Sequence, residues 1–430
     1  MARVSPQEPV RLPEKVAWCL YDFGDSAFTT VIITAYYVLY FKTVVVGNPA
    51  LGDWYWGLAN AISALVIALV APLLGALADQ SGNKLLFLRG CAALAVTFTA
   101  SLYWVRPGGI ASGCILFIMA NIGFSGGVIF IDAFLPEISH PGNVGRLSGY
   151  RWGTGYVGGM LSLGLVLPLV KGGFGEDHLL SARLVFPVVA LWYLIWVFPA
   201  FLFLRERAIP GASLSWSGAL RAGVRRLRET AGHLRHYRQL FRFLIAYWVY
   251  NDAIVTIIVF AAAYAADTLH FSLAENLLLI LCVNVPAALG SLAFGSLVDR
   301  IGAKKAVSFT LILWLAVVVA AALATSKVVF LCVAALAGIG LGSCQSASRS
   351  LMSLLSPRRK AAEFFAFMGV AGKASSIPGP LLFGVLSSTT GSQRVAVLAV
   401  GLLFLAGFLI LLTVDQDKGM AAAAGPGCRS

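Results

Sequence analysis

Apolar residues in this chain fall in long blocks, not in the alternation of strands or the narrow stripe of a surface helix. Blocks of spanning length, about 20 residues or more, cover 17–46, 53–77, 85–105, 109–135, 145–170 and 183–204. After a polar stretch they resume at 241–266, 274–298, 306–325, 328–355, 362–388 and 395–414. Apolarity sustained over such lengths predicts helices that cross a bilayer. The blocks at 145–170 and 362–388 are interrupted by Gly, Ser, Arg and Lys. The pattern predicts an all-α integral membrane protein with twelve transmembrane helices in two six-helix bundles. Residues 1–16 are then an amino-terminal tail, 17–204 the first bundle, 205–240 a basic linker, 241–414 the second bundle and 415–430 a carboxy-terminal tail.

Composition agrees. Of the 430 residues, 59% are hydrophobic and only 12% charged, where a soluble domain carries ~25% charged residues. That excludes a soluble enzyme. A net charge of +13 would suggest nucleic acid in a soluble chain, but its placement argues otherwise. With both termini in the cytoplasm, 25 of the 32 Lys and Arg lie on the cytoplasmic side, six on the other, and Lys373 within a span. This is the positive-inside bias of a multi-pass protein, here expected in a bacterial cytoplasmic membrane, and no nucleic-acid partner is expected. The linker, with Arg221, Arg225, Arg226, Arg228, Arg235, Arg238 and Arg242, reads either as a solvated linker or as a basic helix lying against anionic headgroups. The polar first fifteen residues, with Pro6, Pro9 and Pro13, do not resemble a signal peptide. The seven cysteines form no CxxC pair and the five histidines fall in predicted loops. Neither a metal nor another cofactor is expected. No Walker loop is present, so any transport is expected to be secondary.

The two sets of six blocks are related by repetition. Gly75-Ala-Leu-Ala-Asp79-Gln-Ser-Gly82-Asn-Lys84 follows the second span, and Gly295-Ser-Leu-Val-Asp299-Arg300-Ile-Gly302-Ala-Lys304 follows the eighth, 220 positions later. Pro136 and Pro357, and Gly158 and Gly379, recur at an offset of 221. Duplicated six-helix halves are the pattern of a two-bundle secondary transporter.

The Gly-x-Leu-x-Asp-x-x-Gly-x-Lys loops resemble the signature loop of the major facilitator superfamily, in both halves. A narrower resemblance rests on Tyr21-Asp22-Phe23-Gly24-Asp25-Ser26-Ala27-Phe28, Phe134-Leu135-Pro136-Glu137-Ile138 and Tyr250-Asn251-Asp252, with Gln345-Ser346-Ala347-Ser348-Arg349-Ser350, Glu363-Phe364-Phe365 and the stretch from Gly372-Lys373-Ala374-Ser375 to Gly379-Pro380. These segments are similar to those of the vacuole-effluxer-like (autophagy-related) permeases, and the chain looks like a bacterial-type member. The resemblance implies the major facilitator fold and solute transport by alternating access, with amino-acid efflux associated with the eukaryotic members. It also implies that the two Gly-x-Leu-x-Asp loops (Gly75, Asp79, Gly82 and Lys84; Gly295, Asp299, Arg300 and Gly302) act as gating latches. A tight charged turn without a gating role is the alternative. The chain departs from the branch at Asp25, where Asn is usual, at Gly24, where Ala is commoner, at Ser343-Cys344, where Gly-Gly is usual, and in carrying Arg151.

Charges at membrane depth cost about 3 kcal/mol or more and mark functional sites by default. Asp22 and Asp25, with Ser26 beside them, lie ~9 and ~14 Å into the first span, and Asn251 and Asp252 ~16 Å into the seventh, the repeat partner of the first. Gln345 and Arg349 stand on the tenth span, Arg151 on the fifth, and Lys373 ~20 Å into the eleventh. A zwitterionic or anionic solute would set its carboxylate on Lys373 or Arg349 and an ammonium on Asp22, Asp25 or Asp252. Asp25, the deeper of its pair, is the candidate carrier of a coupling proton. Fixed ion pairs that hold the helices together are the competing reading. Trp152 and Tyr156 serve either to line the site or to pack. Asp132 and Glu137 are expected to pair with Arg146 or Arg151. The expected protein is a monomeric proton-coupled carrier of a small polar, amino acid-like solute. A drug or lipid exporter, and a non-transporting membrane sensor or scaffold, are the other readings.

Overall fold

A computed structural model describes residues 9–207 and 237–424. Every regular element in them is helical. The first six blocks become α1 (Leu12–Ala27), α2 (Pro49–Ser81), α3 (Lys84–Ser101), α4 (Ile110–Asp132), α5 (Val144–Val170) and α6 (Leu179–Phe203). The second set becomes α7 (Arg238–Leu269), α8 (Leu273–Ile301), α9 (Ala303–Leu323), α10 (Lys327–Leu355), α11 (Ala361–Ala374), α12 (Pro378–Thr390) and α13 (Gln393–Leu412), and a short α14 (Gln416–Ala424) follows. Among the described residues, eleven helices are long and apolar enough to cross a membrane. The block at 362–388, expected as one span, is instead two half-helices, α11 and α12. The basic helix considered for the linker falls largely on 208–236, outside the described residues.

The caps explain where several helices begin. Asn83 accepts from the Leu86 amide at the start of α3. Ser272 and Glu275 form a reciprocal capping box at the start of α8, and Ser326 accepts from Val329 N at the start of α10. Such caps satisfy amides that have no partner within the helix. Glu275 also takes the Lys327 ammonium at 2.8 Å.

The chain forms two compact units: the described residues of Met1–Ile138 with those of Thr154–Leu227, and the described residues of Ser139–Gly153 with those of Arg228–Ser430. In the first, α1 packs on α6, and α3 on α4 and α6. Gly24 permits the approach of α1 to α6, since a Cβ there would lie 2.8 Å from Trp196 Cβ. Beyond Ala27 the first span leaves α geometry. Residues Phe28–Ala35 and Phe41–Val45 are wound with i→i−5 bonds, as in Tyr36 N to Val31 O (2.8 Å) and Val46 N to Phe41 O (2.9 Å). Three tyrosines of this stretch are buried and donate to backbone carbonyls: Tyr36 to Ala182, Tyr37 to Gly113 and Tyr40 to Val105. Each hydroxyl thus meets the requirement for a buried polar group, and the rings form an aromatic core with Phe41, Trp56, Phe117 and Phe186.

In the second unit α8 packs on α10, α7 on α13, and α9 on both α10 and α13. Small residues set the α8–α10 distance: a Cβ at Gly290 would lie 2.7 Å from Ile339 O, and one at Gly342 would strike Ala287 O. Large aliphatic side chains such as Leu65, Leu69, Leu289 and Leu402 are exposed, as lipid-facing positions require.

Candidate functional site

The two signature loops turn on glycines with positive φ, +65° at Gly82 and +91° at Gly302, a conformation that side-chain-bearing residues avoid. Beyond that they diverge. In the first, Lys84 is buried, with Nζ 3.6 Å from Asp79 Oδ1 and 2.5 Å from Glu137 Oε1. Glu137 Oε2 also accepts from Arg207 N (3.3 Å), and the Arg207 guanidinium reaches Glu14 at 2.8 Å. In the second, Asp299 accepts from the amides of Gly145 (2.7 Å) and Arg146 (3.1 Å) and pairs with Arg146 Nε at 3.0 Å. It thus caps the first turn of α5, where the helix dipole favours an anion. Arg300 is exposed. The pairing expected of Glu137 with Arg146 or Arg151 is therefore replaced: Glu137 goes to Lys84, and Arg146 to Asp299. Counting along the spans could not reveal that a loop lysine folds back over the end of α4.

In the first unit, Asp22, Asp25 and Ser26 lie on α1, the two carboxylates 8% and 2% exposed. Asp22 and Ser26, one turn apart, face α5. A Cβ on Gly155 would lie 2.6 Å from Asp22 Oδ2 and 2.9 Å from Ser26 Oγ. Thr154 Oγ1 donates to Cys19 O (3.1 Å), joining the same two helices. Tyr156 is half-buried on α5.

In the second unit the polar positions gather at the break between α11 and α12. Pro378 has no amide to extend α11, and its ring clashes with the carbonyl four residues back, so the helix ends. The freed carbonyls are taken by hydroxyls: Ser375 Oγ donates to Gly372 O and Ser376 Oγ to Lys373 O, each at 2.7 Å. Three elements are joined here by a chain of side chains. Gln345 Nε2 on α10 donates to Asn251 Oδ1 on α7 (3.0 Å), and Asn251 Nδ2 donates to Ser375 Oγ. Asp252 Oδ1 accepts from Gly379 N at 2.9 Å, capping α12. The repeat is visible in this contact, with Gly155 in the place that the 221-residue offset gave to Gly158: Asp22 faces Gly155 in an unbroken α5, whereas Asp252 faces Gly379 at the start of a half-helix. Lys373 lies in the last turn of α11, half-buried, and its ammonium has no hydrogen bond or ion pair among the described residues. Arg349 and Arg151 are both buried, and the Arg349 guanidinium stacks on the half-buried Trp152 ring, 5.0 Å from its centroid.

The sequence model for vacuole effluxer Atg22-like proteins matches residues 55–144 and 142–424. The chain belongs to that family. It is 29% identical to the uncharacterized MFS-type transporter YxiO of Bacillus subtilis, over 93% of this chain and 94% of that one. It is 26% identical to autophagy-related protein 22 of Kluyveromyces lactis over 79% and 74%. Against autophagy-related protein 22-1 of Neosartorya fischeri, at 27% identity, 64% of the chain matches and spans about half (48%) of that longer protein. Among solved structures, the Escherichia coli fucose:proton symporter FucP superposes with a TM-score of 0.71 at 15% identity, covering 95% of this chain and 100% of FucP. The proton:xylose symporter XylE gives 0.70 at 15%, covering 95% and 96%. These likenesses give the major facilitator fold. This Atg22-like chain is a multi-pass membrane protein and a secondary transporter of that superfamily, not an enzyme.

Three residues of the Atg22-like chain stand out only in the structure: Glu14 and Arg207, paired above, and Glu206. Glu206, just past α6, accepts the Leu85 amide. Burial, reinforced by the Glu137 and Asp79 charges, raises its carboxyl to about 7 against the opposing Leu85 bond and Lys84 charge. A carboxyl raised in the folded state keeps its proton where the unfolded chain has lost it. Stability therefore falls as pH rises from about 4.5 to about 7 and then levels. Glu206→Gln retains the acceptor and removes the titration. Thermal scans in detergent should find it equal to the wild type near pH 4.5 and several degrees more stable at pH 8. Parallel curves at all pH values would dismiss the assignment.

Proposed function

We propose that the protein carries a small solute bearing a carboxylate, amino acid-like in class, across the membrane in exchange for or together with a proton. The observation that carries this reading is Lys373. An ammonium at membrane depth without a partner is expensive, and a charge kept there is best explained by a ligand that completes it. Its surroundings suit a carboxylate: the Gln345–Asn251–Ser375 chain fixes the break beside it. The ammonium also sits at the carboxy end of α11, where the dipole favours a cation.

For the proton, Asp25 is the proposed carrier. It is buried, stands one turn before the π-wound stretch of the first span, and replaces the Asn usual in the branch. A π segment inside a membrane helix is a frequent mark of a functional position. The test uses purified protein in liposomes, with a panel of amino acids screened for uptake under an imposed pH gradient. In Asp25→Asn, gradient-driven accumulation should be lost while solute exchange at equal pH persists. Gradient-driven accumulation at the wild-type level would remove Asp25 from the coupling. Both termini and the linker are proposed to face the cytoplasm, from the distribution of Lys and Arg.

A further inference from the structure

A cavity of about 650 Å³ opens at the end of the second unit where α7 begins, α8 ends, α9 begins and α13 ends, with the first turn of α14 across it. Its walls include Arg242, Lys304, Lys305 and Lys418, against two carboxylates, Asp415 and Asp417. The cations are arranged in two ways. Arg242 Nη1 donates to Thr413 O (3.1 Å) and Lys304 Nζ to Leu412 O (3.0 Å), so the last carbonyls of α13 hold both heads in place. Each uses one donor hydrogen in doing so and has others to spare. Lys305 and Lys418 are exposed at the rim. Of the acids, Asp415 is already engaged by the Lys418 amide (3.0 Å) and ammonium (2.9 Å). The amino end of the 21-residue α9, entered through Gly302, also borders the space and adds positive potential.

We infer that this cavity binds a phosphate-bearing anionic group, held by Arg242 and Lys304 inside and by Lys305 at the mouth, and that the phosphate is presented by the headgroup of an anionic phospholipid. A guanidinium and two ammonium groups match the donor demand of a phosphate. A volume of several hundred cubic ångströms at the ends of membrane helices suits a headgroup, and juxtamembrane basic residues attract anionic lipid. None of these residues belongs to the helix break or to the carboxylates of α1, so the inference is independent of the transported solute.

The experiment uses full-length protein in nanodiscs of phosphatidylcholine, phosphatidylcholine with phosphatidylglycerol, or phosphatidylcholine with added inorganic phosphate. Retained lipid is counted by native mass spectrometry and stability by thermal scan. Because Arg242 and Lys304 also cap α13, the variant is Lys305→Glu with Lys418→Glu, both at exposed positions. Phosphatidylglycerol should be retained over phosphatidylcholine and raise the midpoint in the wild type, and the variant should need about tenfold more of it. A response to inorganic phosphate alone, abolished in the variant, keeps the site but assigns it to a soluble phosphate. Equal retention of both lipids without a phosphate response, or an undiminished response in the variant, overturns the inference.

Discussion

Lys373→Met should lower the apparent affinity for the transported solute by about 10–100-fold, the worth of one charge-assisted hydrogen bond of roughly 1.5–3 kcal/mol. It should do so without harming the fold. The ammonium has no partner among the described residues, so its removal costs no intramolecular contact and relieves the desolvation of a half-buried charge. Thermal stability of the variant should match or exceed that of the wild type, while Lys373→Arg keeps part of the transport. The two measurements together discriminate. Lost uptake with unchanged stability identifies a ligand group. A drop in stability comparable to the loss of a buried ion pair would mark Lys373 as structural and remove the basis for a carboxylate-bearing solute.

Lys84→Met is expected to do the opposite. Here the lysine is fully buried and bridges Asp79 and Glu137. Taking away one partner of a buried pair leaves its carboxylates uncompensated, at a cost of about 3–5 kcal/mol. The double change Lys84→Met with Glu137→Gln should recover much of this, since neutral groups of similar size demand far less of their surroundings. Scanning fluorimetry of the purified variants provides the check. A single variant as stable as the wild type, or a double variant worse than the single, would show that the network is not what holds the loop to the end of α4.

The fold was legible because the bilayer imposes one rule on every span. Length and apolarity alone found the helices, and the duplicated Gly-x-Leu-x-Asp loops divided them into halves. The one span broken into half-helices had its cause in plain view: Pro378 after Ser375-Ser376, a sequence that ends a helix and supplies hydroxyls for its last carbonyls. Apolar composition on both sides concealed it. Polar positions were legible as costly residues, and Asn251, Gln345 and Lys373 do gather at one place. Their partners were not legible. The Asp252–Gly379 and Asp299–Gly145 contacts run from a side chain to a backbone amide, and an amide leaves no trace in residue identity. Glu14, Glu206 and Arg207 were missed for a different reason: they sit at the polar edges of spans, where charge is ordinary and only the folded chain shows three segments meeting.

The membership of residues 139–153 in the second unit bears on how the gene can be divided. A fragment started anywhere in the linker would encode α7 to α14 but omit the stretch that Asp299 caps and that lies against Ser291 and Gly295. Such a fragment would expose a strip of small residues with a carboxylate at its end and nothing laid along it. The duplicated halves are thus equal in the genetic sense and unequal as independently expressed pieces: a cut in the linker parts 139–153 from the second unit, and a cut before His140 would instead part α6 and the end of α5 from the first.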